Sequence, residues 1–210
     1  MLYHSGDIYT GYWENDEQNG NGTMVYAIGD VYEGNWANSK RNGHGKFTYI
    51  DGDYYEGSWK EGAENGQGTY TFSNGDFYNG NWEDGYYHGY GEFTETKVKS
   101  KETYKGYWAE GKKENEGEML YANGDSYKGT WVNDKRHGNG KQVYADGNVY
   151  DGDWQNGEKN GYGIYKYCNG DTYDGYWVDD QQNGAGSLTY SNGDVYKGNW
   201  ENGLQNGRGK

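Results

Sequence analysis

One pattern restricts this chain more than any other. Tyr, any residue, Gly, any residue, Trp recurs with its tyrosine at Tyr9, Tyr32, Tyr55, Tyr78, Tyr104, Tyr127, Tyr150, Tyr173 and Tyr196. The spacing is 23 residues throughout, except for 26 between Tyr78 and Tyr104. Seven residues after each Trp stands a Gly and two further on another, as in Gly20 and Gly22, Gly43 and Gly45, Gly66 and Gly68, or Gly161 and Gly163. Only the fifth copy departs, with Asn115 in the first of these places. A fixed period of this length marks an array of one small supersecondary unit, each copy burying its apolar side against the next. Agreement among nine copies then shows which positions that unit requires.

Within a copy the period is two. Tyr32, Gly34 and Trp36 alternate, as do Gly43, Gly45, Phe47 and Tyr49, and alternation places residues on one face of a β-strand. Each copy is therefore two strands. The stretches "ANSKRN" after Trp36 and "IDGDY" after Tyr49 are polar and turn-like, so successive strands are expected to run antiparallel as hairpins. If Tyr32 faces Tyr49 across the hairpin, Gly34 faces Phe47, Trp36 faces Gly45 and Asn38 faces Gly43, setting large rings against glycines. Cross-strand pairs of this kind are worth roughly 0.2–1 kcal/mol each, enough when repeated to hold a sheet without a second layer. The recurring Asn-Gly-Asp of Asn74–Asp76, Asn123–Asp125 or Asn192–Asp194 is turn chemistry, because Asn and Asp bond nearby backbone and Gly accepts positive φ. Calcium ligation by these loops is the sharper alternative, but each turn offers few carboxylates and the spacing fits no calcium loop.

Composition closes other routes. Only 31% of the residues are hydrophobic and much of that share is 26 Tyr and 9 Trp, so a Leu/Ile/Val core is not expected; that aromatic load also argues against disorder, despite a net charge of -14. No window approaches the length of an apolar membrane span, and "MLYHSGDIYTG" reads as no secretory signal; a cytoplasmic address is the expectation. With 33 acids against 19 bases the chain lacks the basic surface that nucleic acid requires. Cys168 is the single cysteine, which rules out an internal disulfide framework. The Gly-x-Gly pairs lack the third glycine, the following helix and the lysine of a phosphate cradle. His4, His44, His88 and His137 have no ligand spacing, and no nucleophile, base and orienting group converge. No catalytic residue, metal ligand or cofactor is assigned.

The unit "YKGNW", a short polar loop, "NGRG" or "NGYG", then "YSNGD" resembles the MORN (membrane occupation and recognition nexus) repeat, nine tandem units covering residues 1–210 as one array. The resemblance implies an all-β fold: an elongated, twisted, single-layer antiparallel β-meander of hairpins with aromatic and glycine positions along a groove. It implies a non-enzymatic interaction scaffold in a cytoskeletal or ciliary assembly, binding a partner protein as a helix or extended peptide. Homodimerisation, end-to-end assembly and a phospholipid-binding module are the alternatives. The rival resemblance, to choline-binding modules, fails because those cluster several rings into cationic-ligand cages, whereas each copy here usually has one Trp.

Two strands per copy at about 4.8 Å imply a rod on the order of 85 Å long. The expected partner groove comprises Tyr55, Trp59, Tyr70, Phe72, Tyr78, Trp82, Phe93, Tyr104, Trp108, Tyr121, Tyr127 and Trp131. An irregular insertion, 93–103, lengthens one hairpin and alternates Lys97, Lys99 and Lys101, a candidate basic contact loop. Membrane contact through these lysines is disfavoured, since about 1 kcal/mol per Lys is opposed by the surrounding acidity. The ends read as uncapped: Met1–Tyr3 is the tail of a strand and Lys210 stops just after the last Gly-x-Gly, as in an excised segment or an array that joins end to end.

Overall fold

The computed structural model describes residues 1–96 and 101–210. It divides into two compact units, Met1–Lys112 and Lys113–Lys210. The first contains β1 (Ile8–Glu14), β2 (Glu17–Val25), β3 (Val31–Ala37), β4 (Lys40–Thr48), β5 (Tyr54–Lys60), β6 (Ala63–Thr71), β7 (Phe77–Glu83), β8 (Tyr86–Glu95) and β9 (Glu102–Ala109). The second contains β10 (Lys112–Leu120, whose first residue lies at the boundary), β11 (Ser126–Val132), β12 (Lys135–Val143), β13 (Val149–Gln155), β14 (Glu158–Lys166), β15 (Thr172–Val178), β16 (Gln181–Thr189), β17 (Val195–Glu201) and β18 (Leu204–Asn206). In each unit every strand pairs antiparallel with the next in sequence. The chain is an all-β hairpin meander, with no helix among the described residues.

The register differs from the sequence expectation. Tyr32 pairs with Phe47, Gly34 with Gly45, and Trp36 with Arg41. Two features cause the shift. The hairpin turn is only two residues, Asn38 (φ 50°) and Ser39 (φ 60°), and two successive positive φ values match the twist of the flanking strands; the second strand therefore begins at Lys40 rather than at Gly43. The surplus residues are then absorbed as an irregularity between the Gly34 and Trp36 pairs, where Gly43 takes φ +91°. This conformation explains the one substituted copy. Asn115 occupies the equivalent place with φ 56°, and Asn is among the few side chains that tolerate the left-handed region.

Glycine thus faces glycine, and the tyrosine of the same strand folds over the pair. At Gly80 an added Cβ would lie 2.6 Å from Tyr78 Oη and 2.5 Å from Gly91 Cα. Gly80→Ala is therefore expected to destabilise the fourth repeat by about 1–3 kcal/mol through overpacking, read as an earlier thermal transition with loss of near-UV dichroism. An unchanged transition would mean that the ring is free to lift.

The turns between copies do more than reverse the chain. Asp30 Oδ1 accepts the Ile50 N–H at 2.9 Å, Asp53 Oδ1 that of Ser73 at 2.8 Å, Asp125 Oδ1 that of Ala145 at 2.8 Å and Asp171 Oδ1 that of Ser191 at 2.8 Å. Each Asp-bearing turn is tied to the turn one repeat later. The bond from Ser73 N–H holds the Asp53 carboxyl below its ordinary range. On the other edge of the sheet the hairpin turns are tied likewise: Gly62 N–H donates to Arg41 O and Gly85 N–H to Glu64 O, each at 3.0 Å. Backbone groups at both edges are satisfied by the neighbouring repeat.

The 93–103 insertion lengthens the hairpin of β8 and β9 through the pairs Thr94 with Thr103 and Glu95 with Glu102. Lys97 and Lys99 lie outside the described residues; Lys101 is exposed.

Candidate functional site: the aromatic face

Residues paired across the strands share a face, so in each unit the tyrosine and tryptophan of every Tyr-x-Gly-x-Trp pattern and the glycine pairs lie on one side of the sheet. There the rings interlock. Tyr55 meets Trp59 edge to face at 5.1 Å and Trp82 of the next repeat at 5.0 Å; Tyr78 meets Trp82 at 5.3 Å and Trp108 at 5.6 Å. The second unit repeats the arrangement, with Tyr150 5.1 Å from Trp154 and 5.3 Å from Trp177. Perpendicular contacts set the positive edge of one ring against the negative face of another, worth about 0.5–1.5 kcal/mol each beyond burial. Polar ends are bonded as well. Tyr55 Oη donates to Ser58 O at 2.8 Å, and Trp82 Nε1 to Gly68 O at 3.1 Å.

This lattice divides the expected groove residues. Tyr55, Trp59, Tyr78, Trp82, Tyr104, Trp108, Tyr127 and Trp131 are all buried, the most accessible of them only 6% exposed; they form a floor. Tyr70, Phe72, Phe93 and Tyr121 are half-buried and form part of the surface above it. Burial pushes the phenols of Tyr55, Tyr78, Tyr127 and Tyr150 far above their ordinary 10.0. The same cause takes Tyr49, Tyr87, Tyr165 and Tyr173 to about 12. Tyr70 is raised too, by desolvation and then by its bond to Asp53, whose Oδ2 accepts its hydroxyl at 2.8 Å.

Sequence reasoning missed a second row. Five residues after each Trp from Trp36 to Trp177, the side chain turns back over the rings: Arg41, Glu64, Tyr87, Lys113, Arg136, Lys159 and Gln182. These identities vary, which hid the row; the constant distance from Trp and the two-residue turn could have disclosed it. The Arg41 guanidinium lies 4.3 Å from the Trp59 ring centroid and Arg136 lies 4.1 Å from that of Trp154. In the fourth repeat the place is taken by Tyr87, stacked on Tyr78 at 3.8 Å. It borders a cleft of about 350 Å³ lined by Tyr49, Glu64, Tyr70, Phe72, Trp82 and Tyr86. The opposite face mixes charged and aromatic side chains, with ion pairs such as Lys105 to Glu92 at 3.2 Å and exposed tyrosine pairs, Tyr90 with Tyr107 and Tyr162 with Tyr176, each at 5.6 Å.

The profile of the MORN repeat matches residues 9–31, 32–54, 55–77, 78–94, 104–126, 127–149, 150–172, 173–195 and 196–210. The chain belongs to the MORN repeat family. The MORN units start at the very tyrosines that cover the glycine pairs, and the short fourth unit ends where the lengthened hairpin departs from the pattern. No curated protein matches the chain in sequence. Among solved structures, the TCP domain of Drosophila melanogaster SAS-4 (dCPAP), in complex with a proline-rich motif of Ana2 (dSTIL), is 11% identical over 84% of this chain and 88% of its own, with a TM-score of 0.45. A streptogramin B lyase is 10% identical over 96% and 67%, TM-score 0.15. An inactive virginiamycin B lyase from Staphylococcus aureus with quinupristin is 10% identical over 94% and 67%, TM-score 0.14. These superpositions are too weak to add to what the MORN units establish.

Proposed function

We propose that this MORN array is a non-enzymatic scaffold that binds a segment of a partner protein along its aromatic face. The setting is a cytoplasmic, cytoskeletal or ciliary assembly, as the family resemblance implies. The observation that carries the reading is the division of the rings. A floor that is fully packed leaves a second tier of half-buried Tyr and Phe, including Tyr49, Tyr70, Phe72 and Tyr87, around an open cleft. Rings held rigidly with their faces uncovered lose little entropy when a ligand covers them. An extended or helical segment can lay its apolar side chains across this tier, with the carboxylate of Glu64 at the cleft wall available to a donor.

Photo-crosslinking in cells distinguishes the faces. A photoreactive residue at Phe72 is expected to capture a discrete partner protein, whereas one at Thr69, one strand position away from Tyr70 and on the opposite face, is expected to capture none. Equal capture from both would remove the aromatic face as the binding surface. Flotation with anionic liposomes tests the phospholipid alternative: salt-sensitive binding there, without protein adducts, would replace the proposal. Light scattering over a concentration series tests self-association by the same face.

A further inference from the structure

The two units carry different charge on the same face. In the second unit the row five residues beyond Trp begins Lys113, Arg136, Lys159, while no Asp or Glu occupies an aromatic-face position of β11 to β17. In the first unit Arg41 is followed in the next slot by Glu64, and Glu95 pairs with Glu102 on that face. Of the acids of the second unit, Asp151, Asp153 and Asp174 stand on the opposite face, Glu118 there beside Lys128 at 3.8 Å, and Glu114 at the hairpin edge, accepting the Asn133 N–H; Asp125, Asp146 and Asp180 stand in the turns that flank the aromatic face, close enough to raise the Tyr144 phenol. A chain of net charge -14 thus keeps a cationic strip over its rings.

The strip is held in place. The Arg136 guanidinium donates to Gly157 O at 2.6 Å and Gln142 Oε1 at 3.0 Å, and meets no carboxylate among the described residues. Both acceptors are neutral, so no ion pair ties up its charge directly. The Lys159 ammonium lies 4.9 Å from the Trp177 centroid and 3.6 Å from Asp180, a turn residue at the edge of the face. Half-buried Tyr144 and Tyr165, 6.0 Å apart, lie between and beside these cations. Flat rings alternating with fixed donors suit a ligand that alternates apolar groups with carboxylates, and a guanidinium bonded on one side still offers its other N–H groups.

We propose that the aromatic face of Lys113–Lys210 selects an acidic, aromatic-bearing extended protein segment, with Arg136 and Lys159 binding its carboxylates and Tyr144 and Tyr165 its apolar side chains. This rests on the reading of the aromatic face as a protein-binding surface. The electrostatic part makes that reading selective: a basic segment is repelled here, and a neutral one loses the charge-assisted bonds.

Fluorescence anisotropy on the full chain tests it with three synthetic peptides of alternating residues: Glu with Phe, Gln with Phe, and Lys with Phe. The Glu peptide is expected to bind about tenfold or more tighter than the Gln peptide and the Lys peptide weakest. Arg136→Gln with Lys159→Gln should erase the difference, Arg41→Gln should leave it, and Arg136→Lys with native Lys159 should keep most of it. Near-UV dichroism matching that of the unaltered chain shows that each variant is folded. Equal binding of the Glu and Gln peptides overturns the acidic selection and leaves the protein-binding face standing. Failure of all three peptides, together with no adduct from the Phe72 crosslinker, overturns both. Binding to phosphatidylserine vesicles that depends on Arg136 and Lys159, with no peptide bound, assigns the strip to a membrane and overturns the proposal.

Discussion

Tyr55→Ala is expected to cost the first unit about 3–5 kcal/mol, the range for deleting a fully buried aromatic side chain. Tyr55 is fully buried and meets two tryptophans, Trp59 of its own copy and Trp82 of the next. Removing it exposes the Gly57 and Gly68 pair beneath and takes one perpendicular partner from each indole, leaving Trp59 with Tyr32 and Trp82 with Tyr78 and Tyr87. The hydroxyl is a smaller part. Tyr55→Phe loses only the bond to Ser58 O and should cost about 1 kcal/mol. In a repeat array each copy touches only its neighbours, so the loss should be local before it is global. Hydrogen exchange is the appropriate measurement: amides of β3 to β8 should lose protection first, with β13 to β17 unaffected. A cost for Tyr55→Ala no larger than that for Tyr55→Phe would show that the ring lattice is not what holds the repeats together.

Alkaline pH is expected to unfold the protein cooperatively. Tyr32, Tyr55, Tyr78, Tyr127 and Tyr150 are buried with phenols raised well above 10.0, chiefly by desolvation, and Tyr173 is raised to about 12. The sign follows from proton binding. Above pH 10 the unfolded chain releases phenolic protons that the folded chain retains, so the stability present below about pH 10 is lost as pH climbs toward the folded values. Each tyrosine that stays neutral while its unfolded counterpart ionises contributes up to about 1.4 kcal/mol per pH unit. Several such groups in one unit exceed the usual margin of 5–15 kcal/mol for a domain, roughly, within about two pH units. Tyrosinate absorbance and near-UV dichroism should therefore change together between about pH 10 and 12, with the half-exposed tyrosines ionising first. Complete ionisation near pH 10 with the ring dichroism intact would contradict this lattice.

Much of the architecture is legible without coordinates because it is local. The alternation Tyr32, Gly34, Trp36 puts rings and glycines on one face, and the two strands per copy follow from turn residues at constant spacing. The register was not legible. Trp36 pairs with Arg41 because a two-residue turn and a positive-φ glycine shift the second strand, and φ is a property of the folded backbone. The site was legible only as a face. Tyr55 and Tyr70 are the same residue type at alternating strand positions, yet Tyr55 is sealed by Trp59 and Trp82 whereas Tyr70 stays half-open with its hydroxyl on Asp53. The row of Arg41, Lys113, Arg136 and Lys159 was marked in the sequence only by its constant distance from Trp, because its members vary in identity and gain a common role where the hairpin folds them back over tryptophan.

By itself, then, the sequence determined the period, the all-β hairpin meander and the aromatic side of each strand, since these depend on residues a few places apart. The tertiary structure decided which rings are floor and which are surface, how Asp-bearing turns tie successive repeats, and where positive charge collects in an acidic chain. The physical reason is the range of the contacts involved. Trp82 reaches Gly68 across 14 residues, Asp53 reaches Ser73 across 20 and Arg136 reaches Gly157 across 21, and such partners meet only after neighbouring hairpins have paired.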